Sequence, residues 1–232
     1  MDHLDPEKYE VIPVGITTDG AWVVGEDDPQ RLRLIDRVMP EVERREEIRP
    51  SLDPAHRGEF HFADGSLYAT ADVIFPALHG RFGEDGTIQG MFALSDVPVV
   101  GPGILASAAG MDKEFSKKLM AAEGLPIGRE VILRDRSELS DAEKNLLGLP
   151  VFVKPARGGS SIGISKVTSW EDMAAAINLA REHDEKVIVE SEIVGPEVEC
   201  GVLQYPDGRI VASAPALLHG TEEGDGGFYD FD

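Results

Sequence analysis

The sequence predicts an α/β protein, and three features indicate this class. A continuous apolar stretch at residues 71–78 is typical of a strand buried on both faces of a sheet, and residues 151–153 form a second apolar, β-branched stretch. Apolar residues at helical spacing lie between and after them, at residues 113–123 and 173–180. A polar loop at residues 79–86 follows the first stretch, at the edge where open α/β sheets bind ligands.

The N-terminal part begins with a predicted hairpin. Residues 9–17 and 21–24 have strand-like composition, and Asp19-Gly20 between them is a turn sequence. Residues 26–66 are charged and proline-rich, which predicts a surface excursion with one short helix near residues 29–38. The apolar stretch that follows is expected to be a buried strand.

The second half alternates helices and strands. Asp112 is a predicted N-cap for the helix at residues 113–123, with Phe115, Leu119 and Ala122 on one apolar stripe. Ser169 and Asp172 have the spacing of a capping box ahead of the next helix. Strands are expected at residues 128–134, 150–155, 164–168, 186–193, 197–205 and 209–218, and the tail at 220–232 contains no closing helix.

Composition argues against a nucleic-acid-binding, membrane-spanning or exported protein. The chain has 22 basic and 43 acidic residues, a formal charge of −21, which repels nucleic acid and anionic membranes. A phosphate ligand must therefore be held by local cations or by metal ions. Cys200 is the only cysteine, which excludes an intrachain disulfide and favours the cytoplasm, and its apolar strand context predicts a small buried side chain. No apolar stretch has transmembrane length, and the acidic start differs from a signal peptide.

The segment at residues 151–163 has the composition of a phosphate-binding loop. Lys154 ends an apolar strand, and the following Gly158 and Gly159 let backbone N–H groups approach an anion, while Ser160 and Ser161 add hydroxyl donors. The spacing differs from a Walker A sequence. An ordinary glycine-serine hairpin turn is the structural alternative.

Other polar residues have a functional and a structural interpretation. Lys113 and Lys154 match two phosphates if they converge on the loop, and are otherwise solvated. A carboxylate at Glu190 with nearby backbone groups could read adenine, and Glu197 could bind a ribose diol; solvated glutamates are the alternative. His79 is a candidate base, anion ligand or strand-end histidine, and the neighbouring Arg81 and Glu84 favour a polar pocket.

In order and spacing, four motifs resemble the D-alanine:D-alanine ligases of the ATP-grasp superfamily. They are residues 78–90 (LHGRFGEDGTIQG), Met111-Asp112-Lys113, Val153-Lys154-Pro155 with Gly159-Ser160-Ser161-Ile162-Gly163, and Glu190 with Gly195-Pro196-Glu197. The resemblance implies three parts: an N-terminal α/β domain at 1–103, a central ATP-grasp subdomain at 104–186, and the start of a C-terminal subdomain at 187–232.

The resemblance also implies roles for individual residues. ATP phosphates would be contacted by Lys113 and Lys154, under a covering loop that contains Gly159, Ser160 and Ser161. Adenine would be read by Glu190 and the backbone of Ile193, and the ribose by Glu197. On the substrate side the implied residues are Ser160, His79 and Glu84.

The implied reaction joins two D-alanines for peptidoglycan precursors. ATP phosphorylates one D-alanine carboxylate, and the amine of the second attacks the acyl phosphate, with Mg²⁺ or Mn²⁺ offsetting phosphate charge. The family pattern implies a homodimer, while the charge and the single cysteine are the reasons to expect a cytoplasmic protein without nucleic-acid or membrane partners. The family's N-terminal glutamate-bearing loop and its metal ligands have no match here, so the sequence is expected to be a fragment, with metal ligands beyond residue 232. Alternatives are a D-alanine:D-lactate or other dipeptide ligase, and a nucleotide-binding module without catalysis.

Overall fold

The computed structural model describes residues 3–33, 40–159 and 162–218. The chain divides into two compact units. Unit 1 consists of Met1–Ala77 and Thr87–Ile104, and unit 2 of Leu78–Gly86 and Leu105–Asp232. Both contain helices and strands, so the α/β class predicted from the sequence is confirmed.

Unit 1 is built from short antiparallel strands and one α-helix. The strands are β1 (Val14–Ile16), β2 (Trp22–Val24), β3 (Ile48–Pro50), β4 (Glu59–Phe62) and β5 (Leu67–Thr70), and the helix is α1 (Thr87–Leu94). The predicted hairpin is confirmed, because β1 pairs antiparallel with β2 around a turn that contains Gly20. The predicted short helix is a 3₁₀ turn at Pro29–Leu32, and residues 34–39 lie outside the described part.

The prediction of a surface excursion at residues 26–66 is wrong in part. This segment contains β3 and β4, which form a sheet with β5 in the order β3-β4-β5. Ile48 and Phe60 from this segment are buried, and the Phe60 ring lies 6.3 Å from the Trp22 ring, which also meets Phe92 at 6.0 Å. Ile48 and Phe60 each lie between charged or polar neighbours in the sequence, so local periodicity did not reveal that they are buried.

The predicted buried strand at residues 71–78 is wrong. Ile74 makes a single parallel bridge with Val99, while Val73 and Phe75 are exposed. Pro76 has no N–H to donate to a ladder, which agrees with pairing that stops after one bridge.

Unit 2 contains an antiparallel sheet in the order β6-β9-β7-β8. The strands are β6 (Glu130–Leu133), β7 (Val151–Pro155), β8 (Ser165–Val167) and β9 (Val187–Ser191), and the helices are α2 (Ile104–Met111), α3 (Lys113–Ala122), α4 (Asp141–Leu147) and α5 (Met173–Arg181). Alternating residues of β7, such as Val151 and Val153, are fully buried against Ile177 and Ala180 of α5. The four strand predictions for this sheet are confirmed.

Helix starts agree with the sequence in one case and differ in another. Asp112 caps α3 as predicted, since its Oδ1 accepts from the N–H of Glu114 at 3.1 Å. Ser169 caps only a 3₁₀ turn at Trp170–Asp172, so the predicted capping box is wrong there. A capping box of Ser140 and Glu143 instead begins α4, a helix that the sequence analysis missed.

The predicted apolar stripe of α3 is exposed, because Phe115 and Leu119 are 51% and 56% accessible and Ala122 is exposed as well. The buried residue of this helix is Glu114. A helical period therefore located the helix, but it did not identify the face that packs.

The last two predicted strands form four short ones. These are β10 (Val198–Glu199), β11 (Val202–Gln204), β12 (Ile210–Ala212) and β13 (Ala216–Leu217), with β10 paired to β13 and β11 to β12. Cys200 is exposed, its Sγ lying 3.3 Å from the Ser213 carbonyl oxygen, so the expectation of a buried cysteine is wrong. The tail at 220–232 lies outside the described residues. No helix in the described ranges is long and apolar enough to cross a bilayer.

Candidate functional site

A pocket of about 100 Å³ lies in unit 2 where the end of β7 meets the start of α3. It is lined by Lys113, Lys154, Pro155, Gly158, Gly159, Ile162 and Ile164. The structure thus brings together both lysines that the sequence singled out and the first part of the glycine-rich loop. Ser160 and Ser161 lie outside the described residues.

Backbone hydrogen bonds fix the geometry of this pocket. The N–H of Lys113 donates to the Ala156 carbonyl at 2.9 Å, and the N–H of Ala156 donates to the Lys186 carbonyl at 2.9 Å. The Lys113 ammonium group donates to the Gly158 carbonyl at 2.5 Å. The first residue of α3 is therefore held against the beginning of the loop by its backbone and its side chain.

The loop is also held from its outer side. Arg157 forms a two-contact ion pair with Asp184, at 2.6 Å and 3.1 Å, and the backbone N–H of Arg157 donates to the same carboxylate at 2.8 Å. Gly163, where the loop returns to β8, has a φ of +72° and lies against His183. Both ends of the loop thus contact the segment between α5 and β9.

Glu190 on β9 lies between two lysines. Lys154 from β7 contacts its Oε2, and Lys117 from α3 contacts its Oε1. Lys117 also pairs with Glu130 on β6 at 2.7 Å. Because Glu130 and Glu190 are direct cross-strand partners, Lys117 neutralises two carboxylates that would otherwise repel each other.

These contacts shift the protonation equilibria. Burial disfavours the charged form of Glu190, but Lys154 and Lys117 outweigh it and lower the pKa of this carboxyl. Burial likewise opposes the charge on Lys117, and its two glutamate partners nevertheless raise the pKa of the ammonium group. The pKa of Lys113 is lowered, first by burial and then by the nearby Lys154 charge. At Lys113, burial and the like charge of Lys154 thus outweigh the nearby carboxylates, so an anion in the pocket would supply counter-charge that this lysine lacks.

A buried ionic cluster supports the start of α3. Lys186 contacts Asp112 at 2.5 Å and Glu114 at 3.1 Å. Glu114 also receives Arg134 at 2.6 Å and Lys118 at 2.7 Å. The cluster connects the helix N-terminus to the residues before β9 and after β6.

The remaining residues that were predicted to bind the nucleotide lie after β9. Ile193 is 75% exposed, and Glu197 is exposed with its carbonyl accepting from Leu218 N–H at 3.0 Å. Among the residues that the structure describes, no side chain pairs with the Glu197 carboxylate. The structure thus does not join Glu197 to the lysine pocket, and its role stays a prediction.

The segment at residues 78–86 forms a tight turn. Glu84 Oε2 accepts from the N–H of Gly80 at 2.6 Å, and the N–H of Glu84 donates to the Gly80 carbonyl at 2.9 Å. Phe82 adopts a φ of +68°, and its N–H donates to Asp85 at 2.9 Å. His79 and Glu84 are exposed, so the turn presents both to solvent and uses one Glu84 oxygen to hold its own shape.

Two residues of this site, Lys117 and Glu130, were not predicted from the sequence. Lys117 lies four residues after Lys113, a spacing that places both on one face of a helix, and this was the available signal. The contribution of Glu130 depends on the register between β6 and β9, which the sequence alone did not give.

Comparisons with known proteins identify relatives over the whole chain. Residues 1–102 match the family model described as D-ala D-ala ligase N-terminus, and residues 118–232 match D-ala D-ala ligase C-terminus. The chain is 89% identical over 230 residues to the D-alanine–D-alanine ligase of Corynebacterium efficiens, covering 99% of this chain and 64% of that protein. It is 67% identical over 232 residues to the enzyme of Corynebacterium diphtheriae, covering 100% of this chain and again 64% of the relative.

Solved structures give the same result. The D-alanine–D-alanine ligase of Coxiella burnetii is similar with a TM-score of 0.77 and 27% identity, over 94% of this chain and 64% of that chain. The VanG D-Ala:D-Ser ligase of Enterococcus faecalis has a TM-score of 0.73 and 33% identity, over 92% and 61%. The chain thus spans about 64% of the length of the first curated relatives. With the two family models covering nearly all of its residues, the chain belongs to the D-alanine–D-alanine ligase family.

Proposed function

We propose that the protein carrying this chain joins two D-alanines at the expense of ATP, for peptidoglycan precursors. The observation that supports this most strongly is the 89% identity to a D-alanine–D-alanine ligase across nearly the whole chain. The lysine pocket beside a glycine-rich loop is chemically suited to such a reaction, because it offers cations and backbone donors to a polyphosphate.

In this proposal Lys113 and Lys154 bind the ATP phosphates, and the loop with Gly159, Ser160 and Ser161 covers them. Glu190 and the Ile193 backbone bind adenine, and Glu197 binds the ribose. Ile193, two residues after the end of β9, is 75% exposed, which supports its contact with a ligand in this proposal.

The chemistry has two steps. The first D-alanine carboxylate attacks the terminal phosphorus of ATP, which gives D-alanyl phosphate and releases ADP. The amine of the second D-alanine then attacks the acyl carbon, and phosphate leaves as the peptide bond forms. His79, Glu84 and Ser160 are assigned to the D-alanine side, where they orient the two amino acids.

ATP-dependent ligation of this kind uses Mg²⁺, with Mn²⁺ as a substitute. Among the described residues there is no cluster of three or more carboxylate, histidine or cysteine side chains that could hold a metal ion. The described residues therefore do not fit a metal site, and we assign no metal ligand among them. Homodimer formation and a cytoplasmic location also remain predictions.

A coupled assay tests the proposed function. The full-length protein should release phosphate from ATP only when D-alanine is present, and chromatography should show D-alanyl-D-alanine as the product. Parallel reactions with D-serine or D-lactate as the second substrate test the alternative ligase specificities. Preferred formation of a mixed product would replace the proposal with that specificity, and ATP binding without any ligation would favour the non-catalytic alternative.

A further inference from the structure

The four charged side chains at the junction of α3, β6, β7 and β9 form a continuous chain of ion pairs. In order they are Lys154, Glu190, Lys117 and Glu130. The side chains of Lys117, Glu130 and Glu190 are each about 85% removed from solvent, at 14%, 15% and 14% exposure. Only Lys154, at 21%, also lines the pocket.

One of these residues has two conflicting tasks under the proposed function. Lys154 is assigned to the ATP phosphates, yet in the structure it is a counter-ion of Glu190. A phosphate in the pocket competes with Glu190 for the same ammonium group. If Lys154 were the single counter-ion, its move to the phosphate would leave a largely buried carboxylate unpaired, which is strongly unfavourable.

We propose that Lys117 is a positioning residue that retains the Glu190 carboxylate as its counter-ion, so that Lys154 is free to bind the nucleotide phosphates. This inference rests on the proposed function, since it takes ATP as the ligand. The two lysines contact different oxygens of Glu190, so Lys154 can leave without disturbing the contact at Oε1. Glu130 fixes Lys117 from the neighbouring strand at 2.7 Å.

A purely structural role is the competing explanation. Lys117 neutralises the facing Glu130 and Glu190, and this alone would stabilise the sheet. The two roles differ in what rescues a Lys117 variant. Replacing Glu130 by Gln removes the like-charge repulsion and restores stability in either case, but it leaves Glu190 dependent on Lys154.

The experiment measures ATP affinity by isothermal titration calorimetry on the full-length protein, with thermal melting alongside. The variants are Lys117→Met, Glu190→Gln, both together, and Lys117→Met with Glu130→Gln. Lys118→Met is the matched control, because it is the adjacent lysine of α3, it is 60% exposed and it contacts Glu114 instead.

In the wild-type background, Lys117→Met should weaken ATP binding about tenfold. In the Glu190→Gln background, the same substitution should weaken it by less than about twofold. A coupling of this size is ordinary for charged residues in contact. Adenosine, which has no phosphates, should lose much less affinity. The variant with Glu130→Gln should melt like the wild type and still bind ATP weakly.

The inference is overturned if Lys117→Met weakens ATP binding equally with and without Glu190, or if Glu130→Gln restores affinity together with melting temperature. Both results would leave the proposed function intact, because the wild type binds ATP in each. A wild-type protein that does not bind ATP would overturn the proposed function and this inference together.

Discussion

Lys186 and Asp112 form a buried ion pair, with Nζ 2.5 Å from Oδ2, that connects the residue before β9 to the N-cap of α3. Asp112 is 8% and Lys186 7% exposed, so neither charge is compensated by bulk water. Removing one partner of a buried pair leaves the other charge uncompensated. Lys186→Met should therefore lower the free energy of unfolding by about 3–5 kcal/mol.

Urea denaturation measures this effect. Lys166→Met is the control, because Lys166 pairs with Glu192 at 2.7 Å but is 28% exposed. This more accessible pair should contribute less than about 1 kcal/mol. An equal, small loss in both variants would show that the Lys186 ion pair is no more important than a surface contact.

The carboxyl group of Glu114 makes the folding stability of unit 2 depend on pH. Hydrogen bonds from Lys118 and Arg134, with Lys186 also close, lower the pKa of its carboxyl to about 2 from an ordinary 4.5, against the opposing effect of burial. Because the folded pKa lies below the unfolded one, the stabilisation is complete above the ordinary value and is lost as the pH falls toward 2.

The corresponding prediction compares wild type with Glu114→Gln across pH. The wild type should be clearly more stable near about pH 7, and the difference in unfolding free energy should shrink below about pH 4. Chemical denaturation at several pH values measures both curves. A difference that stays constant with pH would mean that the Glu114 charge is not the stabilising feature.

The sheet of unit 2 was predictable because its information is local. Val151 and Val153 alternate with partly exposed residues along β7 and are fully buried, as the apolar pattern indicates. The Asp112 cap was predictable for the same reason, since a short polar side chain before a helical pattern serves the free N–H groups of the first turn. Local pattern thus placed Lys113 and Lys154 correctly at the ends of their elements.

Features that depend on tertiary context were not predictable. The apolar run at residues 71–78 reads as a strand, yet Phe75 is 74% exposed. Phe115 lies on a helical stripe and is exposed, while the charged Glu114 is buried by three cationic partners. Likewise, Lys117 gains its significance only from two glutamates that the strand register places opposite each other.

Gly163 lies where the glycine-rich loop returns to β8, in a backbone conformation that favours glycine. Its φ of +72° is left-handed, and an added Cβ would lie 2.5 Å from His183 Cδ2 and 3.1 Å from Pro155 Cγ. Gly163→Ala should destabilise the protein by about 1–2 kcal/mol from the backbone alone, and by more because of the crowding.

Gly159→Ala is the control, because a Cβ there meets nothing within 4 Å and the backbone is not left-handed. Thermal melting of both variants measures the difference. Adding His183→Ala to Gly163→Ala should restore only the stability that is lost through crowding of the new methyl group against His183. Full recovery would show that the backbone conformation costs nothing, contrary to the expectation.

Lys154 should affect nucleotide affinity more than stability. Replacement by Met removes a charge-assisted contact to phosphate, and a loss of about tenfold to a hundredfold in kcat/KM for ATP is expected. Lys166→Met is a matched control, since Lys166 lies on the adjacent strand and pairs with its own glutamate. Equal kinetics for the two variants would place Lys154 outside the phosphate site.

Glu197 is predicted to select the sugar of the nucleotide. Its carboxylate is exposed and has no partner among the described side chains, so both oxygens can accept from ribose hydroxyls. The full-length protein should therefore prefer ATP to 2′-deoxy-ATP, by about tenfold for a charged acceptor that loses its donor. Glu197→Ala should remove most of this preference by weakening ATP while changing 2′-deoxy-ATP little.

Glu199, two residues further along and exposed on β10, provides the internal control. Because Glu199 carries the same charge as Glu197 and lies two residues away, Glu199→Ala reports any general loss of negative charge near the site. Steady-state kinetics with both nucleotides on the two variants decide the assignment. If Glu197→Ala keeps the wild-type ratio of the two kcat/KM values, or if Glu199→Ala changes it equally, Glu197 is a solvated surface charge and the ribose is bound elsewhere.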